Sequence, residues 1–259
     1  MSNKTLPNDV DYLKILFVNF NEKSIVNITD ITPTFSIYES IFNNHSTCNL
    51  IISDANSLIS KFPIVGEEYV VFQYKTKGLK GSGEEYTLRT RSYRIYKMSE
   101  KVESNEGTTN FKLHGIDDHY FINEGHDINA SFVGQNCIKA CKDLFKSYFI
   151  DPIEFRPFDK QKQFLYGKDK TPSRDSENSS SYVSPGNTPI EVINYLKDEA
   201  IHEDTSNTSN YLFYQDVDGY HLVTLSELKE AKSVFSYFSK HAAVTGTGES
   251  EEQKKDDTT

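Results

Sequence analysis

The segments FSIYESIF (residues 35–42), CNLIISD (48–54) and FPIVGEE (62–68) decide the fold. In the first, aromatic and β-branched residues are interspersed with polar ones, which predicts a strand that is bent or bulged near its end. In the second, apolar residues form a nearly continuous run. Both patterns are typical of β-strands. Residues 43–46 between them are a turn, and Asp54 is placed to cap a short helix over residues 55–60. The region therefore predicts short strands with turns between them.

Further strands are predicted on both sides of this region. Alternating or apolar runs indicate strands at residues 13–18, 25–31, 67–76, 86–98 and 110–116. The Gly-rich segment 77–84, between the runs at 67–76 and 86–98, predicts the tip of a long hairpin. Many short strands separated by turns are typical of a sandwich or a small barrel, which we expect over residues 11–117.

The pattern changes after residue 117. Three- and four-residue spacing of apolar residues predicts a helix over 134–149, and a capping box with Pro189 at the first position predicts another that ends near Ala200. Two apolar runs around Asp218-Gly219 predict a hairpin, and a last helix is expected over residues 225–238. The fold class is thus α+β, mainly β, with a smaller mixed helix and hairpin domain after the β domain.

Three segments contain too few apolar residues to form or join a hydrophobic core. We expect a flexible arm over residues 1–10, a mobile polar loop at about 158–187 inside a domain spanning 118–240, and a disordered tail over 241–259. No apolar segment resembles a signal peptide or a membrane span, so we expect a soluble protein made in the cytoplasm.

Composition limits the classes of function. The formal net charge of −10 disfavours specific or general binding of a phosphate backbone. Three cysteines do not make a disulfide framework. Cys137 and Cys141 are four residues apart, which places both on one helix face as small buried hydrophobic residues.

No segment has the pattern of an active site. The GLKGSG segment (78–83) lacks the spacing of a phosphate loop and precedes a strand, and the DVDG segment (216–219) lacks the first and last ligands of a calcium loop. His114, His119 and His126 have no metal-ligand spacing. We therefore expect no enzyme, no cofactor and no metal.

Five segments together resemble a known family. IYESIF (37–42), CNLIISD (48–54), FPIVGEE (62–68), NYLFYQD (210–216) and DGYHL (218–222) resemble, in order and spacing, the N-terminal part of the baseplate hub proteins of contractile-tailed bacteriophages. The resemblance implies a tail-tube-like β-barrel and a trimeric ring between the tail tube and the central spike, in the virion, through which DNA passes. Family members usually continue into a second barrel, whereas this sequence turns polar after about Val244, so we expect one barrel.

The expected function is therefore structural and depends on contacts with copies of the chain, the tail spike, the tail tube or other baseplate proteins. The alternatives are a cell-wall hydrolase or a host-binding module of the tail tip. Aromatic residues are favoured at interfaces, and the Gly-rich loop is long enough to reach a neighbour. The candidate interface residues are Tyr38, Phe42, Tyr74, Gly78, Leu79, Gly81, Tyr93 and Tyr96.

Overall fold

The structure is a computed structural model that describes residues 10–19, 24–55, 58, 62, 64–76, 88–103, 107–150, 164–166, 176–201, 210–216 and 219–230. The predicted arm, most of the short helix, the Gly-rich hairpin tip and the disordered tail lie outside the described residues.

Strands form most of the regular structure. They are β1 (Val10–Asn19), β2 (Ser24–Asn27), β3 (Thr34–Tyr38), β4 (Thr47–Asp54), β5 (Tyr69–Thr76), β6 (Arg89–Glu103), β7 (Thr109–Ile116), β8 (Ile128–Ser131), β9 (Phe164–Tyr166), β10 (Val183–Asn187), β11 (Tyr211–Asp216) and β12 (Gly219–Thr224). The α-helices are α1 (His119–Glu124), α2 (Cys137–Phe145), α3 (Pro189–Glu199) and α4 (Leu225–Glu230), with a 3-10 turn at Thr29–Ile31 and a π-helical turn at Lys146–Ile150.

Strands β1 to β7 form one antiparallel sheet in the order β2-β1-β5-β6-β7-β4-β3. The long hairpin predicted from β5 and β6 is present as an antiparallel pair. The alternation read from the sequence decides which face is buried, since Cys48, Leu50 and Ile52 of β4 point inward and are fully buried. The mainly β class is confirmed.

The sheet curls on itself. The Phe35 ring on edge strand β3 lies 5.2 Å from the Phe72 ring on β5, although three strands separate β3 from β5 in the sheet order. A flat sheet would hold these rings about 19 Å apart, at roughly 4.8 Å per strand. One apolar core therefore fills the concave face, with Ile15, Phe17, Leu50, Val70, Phe72, Tyr93, Ile95 and Phe111 among its members.

Full closure of a barrel is not present in the described residues. Strands β2 and β3 are the two edges of the sheet, and neither pairs with the other within the part of the chain described. The connection over residues 28–33 joins them, and Thr29 Oγ1 fixes it to β1 by accepting a 2.8 Å hydrogen bond from the Ile15 N–H. The predicted barrel is thus a curled, open sheet here.

The FPIVGEE segment forms the tight turn that leads into β5. Gly66 has a φ of +95°, a conformation that glycine adopts at low cost. The buried Glu68 side chain accepts hydrogen bonds from the N–H groups of Val65 and Gly66, at 3.0 and 2.9 Å. Charge-assisted bonds of this kind hold the turn, and Arg94 Nε of β6 also donates to the Gly66 carbonyl at 3.1 Å.

Residues after 117 build a second unit with its own apolar core. Strands β11 and β12 form the predicted hairpin, β9 joins β12 in parallel, and β8 pairs with β10. Helices α2 and α3 pack together, and the Cys141 thiol donates to the Ile193 carbonyl at 3.6 Å. This core is separate from that of the curled sheet.

Several predicted bounds were wrong. The strand expected over residues 25–31 ends at Asn27, where the Asn27 side chain accepts hydrogen bonds from Thr29 and starts the 3-10 turn. The strand expected through Phe42 ends at Tyr38. The polar loop expected at 158–187 was wrong for its last part, because Ser176 and Ser180 bond to Asn136 and Glu199 and the next residues form β10.

Candidate assembly surface

The turn between β3 and β4 is fastened to β11 of the second unit. Asn44 Nδ2 donates to the Phe213 carbonyl at 2.7 Å. The Ser46 N–H and hydroxyl donate to Gln215 Oε1, at 2.8 and 3.0 Å, and Ser40 forms an isolated antiparallel bridge with Gln215. The turn is therefore held at its start and at its end.

Helix α3 adds a contact to the same turn. Asn194 Nδ2 donates to Asn44 Oδ1 at 3.0 Å, so Asn44 is bonded through both its amide nitrogen and its oxygen. Each such bond contributes about 1 kcal/mol, and several together select one conformation of the loop.

This fastened turn exposes two apolar side chains. Phe42 is 78% exposed and Ile41 is 39% exposed. The backbone beneath them is bonded locally, because the Phe42 N–H donates to Ser40 Oγ at 3.2 Å and the Asn43 N–H donates to the Ser40 carbonyl at 3.1 Å. A side chain on an ordered backbone loses less conformational entropy when a partner binds it. The turn is thus suited to anchor in a pocket of another protein.

An ion pair between a buried arginine and a partly exposed glutamate supports the start of the turn. Glu39 pairs with Arg91 of β6, and Arg91 is 3% exposed. Burial raises the pKa of Glu39, the Arg91 charge opposes that rise, and the Asp216 charge adds to it. Removal of Glu39 would leave the buried Arg91 charge without this partner. The pair therefore ties the end of β3 to β6.

Edge strand β3 presents a regular ladder beside the turn. All five of its residues pair with β4 without a register shift, and within the described residues β4 is the strand with which it pairs. Tyr38 at its end is 53% exposed. Hydrogen bonds with Asn49 and Ser36 and the charge of Lys112 lower the pKa of Tyr38. An edge strand of regular register can accept a further strand.

The far end of β6 is an edge of a different kind. Its register against β7 shifts between Ile95 and Lys97 and again between Ser99 and Val102, and Glu100 has a φ of +54°. Bulges twist an edge away from the geometry that a new strand needs. The candidate assembly surface is therefore β3 and its turn, rather than this end of β6.

The predicted interface residues fall into four groups. Tyr38, Phe42 and Tyr96 are exposed, and Tyr96 packs at 6.2 Å between ring centres against His114. Tyr74 packs partly buried against the core, where burial raises its pKa. Tyr93 is 1% exposed, so it belongs to the core and not to the surface, because its position on β6 faces inward. The remaining three, Gly78, Leu79 and Gly81, lie outside the described residues.

The cysteines and histidines occupy separate sites. Cys137 and Cys141 are free and buried on α2, as predicted, and burial raises the pKa of both thiols. His114 bonds Ser99, His119 bonds Asp117, and His126 bonds the Ile122 carbonyl, so these bonds hold the three rings at different places in the fold. In the parts of the chain that the structure describes, no three His, Cys, Asp or Glu side chains are grouped as metal ligands.

Sequence reasoning missed the residues that fasten the turn. Ser46 and Gln215 are 169 positions apart, and neither carries a local pattern that marks a contact. The NYLFYQD segment contributes to the family resemblance, but its sequence does not predict that Gln215 accepts hydrogen bonds from Ser46. That role depends on how the β11–β12 hairpin packs against the turn after β3.

Comparisons with known proteins give structural neighbours at low similarity. No family model matches the chain, and no curated protein sequence matches it. A tail protein from Neisseria meningitidis MC58 aligns with a TM-score of 0.44 and 13% identity, over 82% of this chain and 49% of that one. The half-lidded Francisella PdpA-VgrG complex aligns with a TM-score of 0.39 and 13% identity, over 86% and 33%. The lidded form of that complex aligns at 0.41 and 11%, over 83% and 29%.

This chain spans about half the length of the Neisseria protein and about a third of the Francisella chains. Among the described residues, no helix is long and apolar enough to cross a membrane.

Proposed function

We propose that this chain is a non-catalytic structural subunit of a phage tail baseplate hub, which forms a trimeric ring and joins the tail tube to the central spike. The observation that carries the proposal is the fastened turn after β3, which exposes Ile41 and Phe42 on an ordered backbone. A rigid apolar projection is costly in a protein that stays alone in water and useful in one that assembles.

The strand edges give the assembly a direction. Strands β2 and β3 end the sheet on its two sides, and both pair in regular register with their one described neighbour. Two different surfaces that meet between identical copies make a head-to-tail contact, which closes into a ring when the rotation permits. In the proposed ring, the β3 edge and turn of one copy contact the next copy, and the covered edges complete a barrel-like wall.

The proposed position of this ring in the virion is the one that the sequence resemblance implies. The segments IYESIF, CNLIISD and FPIVGEE resemble those of hub proteins, and they form β3 with its turn, β4 and the turn before β5. The net charge of −10 suits a conduit, because acidic groups repel phosphates and let a DNA duplex pass without specific binding. The subunit is made in the host cytoplasm and incorporated into the tail baseplate.

Sedimentation equilibrium of the full chain tests the proposal directly. We expect the mass of three 29.6 kDa chains when the protein is alone at high concentration, or that mass plus the mass of the bound spike when the spike protein is added. A chain that remains a monomer under both conditions would contradict a hub ring.

A further inference from the structure

Three aromatic rings form a stack that leads from the core of the second unit to its surface. The rings of Phe132 and Tyr182 lie 6.2 Å apart at 13°, and those of Tyr182 and Tyr195 lie 4.0 Å apart at 25°. Phe132 is buried, whereas Tyr195 on α3 is 46% exposed. The outermost ring therefore has one face against Tyr182 and much of its remaining surface in solvent.

The ring beneath Tyr195 is fixed by hydrogen bonds. The Tyr182 hydroxyl donates to Asn187 Oδ1 at 2.9 Å, and the Tyr182 N–H donates to Ser180 Oγ at 3.0 Å. The Ser180 N–H donates in turn to the Gln135 carbonyl at 2.7 Å. Because its support is ordered, the exposed face of Tyr195 is a preorganised platform.

Two carboxylates flank this platform. Glu191 and Glu199 lie four residues before and after Tyr195 on α3, and this spacing places all three on one helix face. Glu191 Oε2 accepts a hydrogen bond from the Thr188 N–H at 2.9 Å, and Glu199 Oε2 accepts one from Ser180 Oγ at 2.8 Å. The Glu199 charge acts on the Tyr195 hydroxyl and raises its pKa, so the platform lies in a negative field.

We propose that Tyr195, between Glu191 and Glu199, is a docking site for an arginine side chain of a partner protein. A planar guanidinium stacks on an aromatic face while its edge pairs with a carboxylate, whereas a lysine ammonium offers only a point charge. The complementarity of charge selects this ligand over a neutral sugar, which would stack on the ring but gain little from two carboxylates. The site does not depend on the ring assembly proposed above.

Nuclear magnetic resonance of the full chain with N-acetyl-Gly-Arg-Gly-amide tests the site. We expect the peptide to shift the Tyr195 ring signals with a Kd of about 1 mM at low salt. Added salt should weaken this binding, because it screens the attraction between the arginine and the carboxylates. The same peptide with citrulline in place of arginine keeps the shape without the charge and is expected to bind at least several-fold more weakly.

Matched variants distinguish the contribution of the Tyr195 ring to peptide binding from that of the carboxylates. The signals of the neighbouring Tyr182 ring and of the α3 backbone amides report binding in every variant, including those that lack the Tyr195 ring. Tyr195→Ala should abolish the peptide-induced shifts of these signals, Tyr195→Phe should retain them because the ring face carries the stacking, and Glu199→Gln should weaken binding several-fold. Tyr38→Ala is the control, since Tyr38 is an exposed tyrosine on β3. Equal binding of the citrulline peptide, unchanged binding to Tyr195→Ala, or no shift with the arginine peptide at about 10 mM would overturn the proposal. Triacetylchitotriose represents the neutral sugar, and stronger shifts at Tyr195 with it than with the arginine peptide would also overturn the proposal.

Discussion

The Ser46 backbone N–H donates a 2.8 Å hydrogen bond to the side-chain carbonyl oxygen of Gln215, across 169 positions of the sequence. The Ser46 hydroxyl donates to the same oxygen at 3.0 Å, and both residues are buried. One side-chain oxygen thus joins the turn after β3 to the second unit. The position of Phe42 on that turn depends on this junction.

Replacement of Gln215 by Ala should destabilise the fold. It leaves the buried Ser46 N–H without an acceptor, which costs about 1–3 kcal/mol. Urea unfolding measures this loss, and Gln135→Ala is the control, because Gln135 is exposed and its side chain makes a 3.5 Å contact with the Ser131 carbonyl. Equal stability of the Gln215 variant and the control would show that the Ser46–Gln215 hydrogen bonds do not stabilise the turn.

Replacement of Phe42 by Ala should separate assembly from stability. Because the side chain is exposed, we expect the free energy of unfolding to change by less than about 0.5 kcal/mol, while the association constant of the oligomer falls about tenfold or more. Phe72→Ala, in the core, should instead lose about 3–5 kcal/mol of stability. Sedimentation and thermal unfolding measure both quantities. An unchanged oligomer in the Phe42 variant would exclude this turn as the anchor.

The pKa of the His114 imidazole should lie below the ordinary value for histidine. Burial lowers its pKa, and the charges of Lys112 and Lys97 lower it further. The unfolded chain then binds a proton more readily than the folded one, so this group's contribution to stability is present above about pH 6.5 and is lost as pH falls below it.

A resonance titration of His114 in the wild type and in Lys112→Gln measures this effect. The variant should bring the pKa of His114 part of the way back to its usual value, while Lys139→Gln, an exposed position on α2, should leave it where it was. A His114 pKa that does not move in the Lys112 variant would contradict the assigned cause.

Gly115 on β7 should tolerate no side chain. A Cβ atom there would lie 2.7 Å from Cys48 Sγ and 2.9 Å from Tyr93 Cβ. Overpacking of this kind costs about 1–3 kcal/mol, which guanidinium unfolding of Gly115→Ala measures. Cys48→Ala added to that variant removes one of the two clashes, and recovery of part of the loss is the expected result. No loss in Gly115→Ala would mean that β7 can shift away from its neighbours.

Local patterns were sufficient to predict most strands, the hairpin of β11 and β12, and helices α2 and α3. Alternation along β4 and the spacing of Cys137 and Cys141 determine which side of an element is apolar, and water removes that side from the surface. The mainly β class and the buried state of both cysteines follow from these patterns.

Some local signals were overridden by nearby polar groups. Asn27 ends β2 because its side chain bonds Thr29, although the apolar run continues to Ile31. Ser176 and Ser180 belong to a polar segment with little apolar mass, yet side-chain hydrogen bonds to Asn136 and Glu199 give it an ordered place.

By itself, then, the sequence determined most of the elements and, for β4 and α2, the face that each buries, because periodicity and turn chemistry act over a few residues. Tertiary structure alone decided that Tyr93 points into the core, that Phe35 meets Phe72 across a curled sheet, and that Gln215 fastens the turn of Phe42. These facts depend on sheet twist and on contacts between distant segments, which no local pattern encodes.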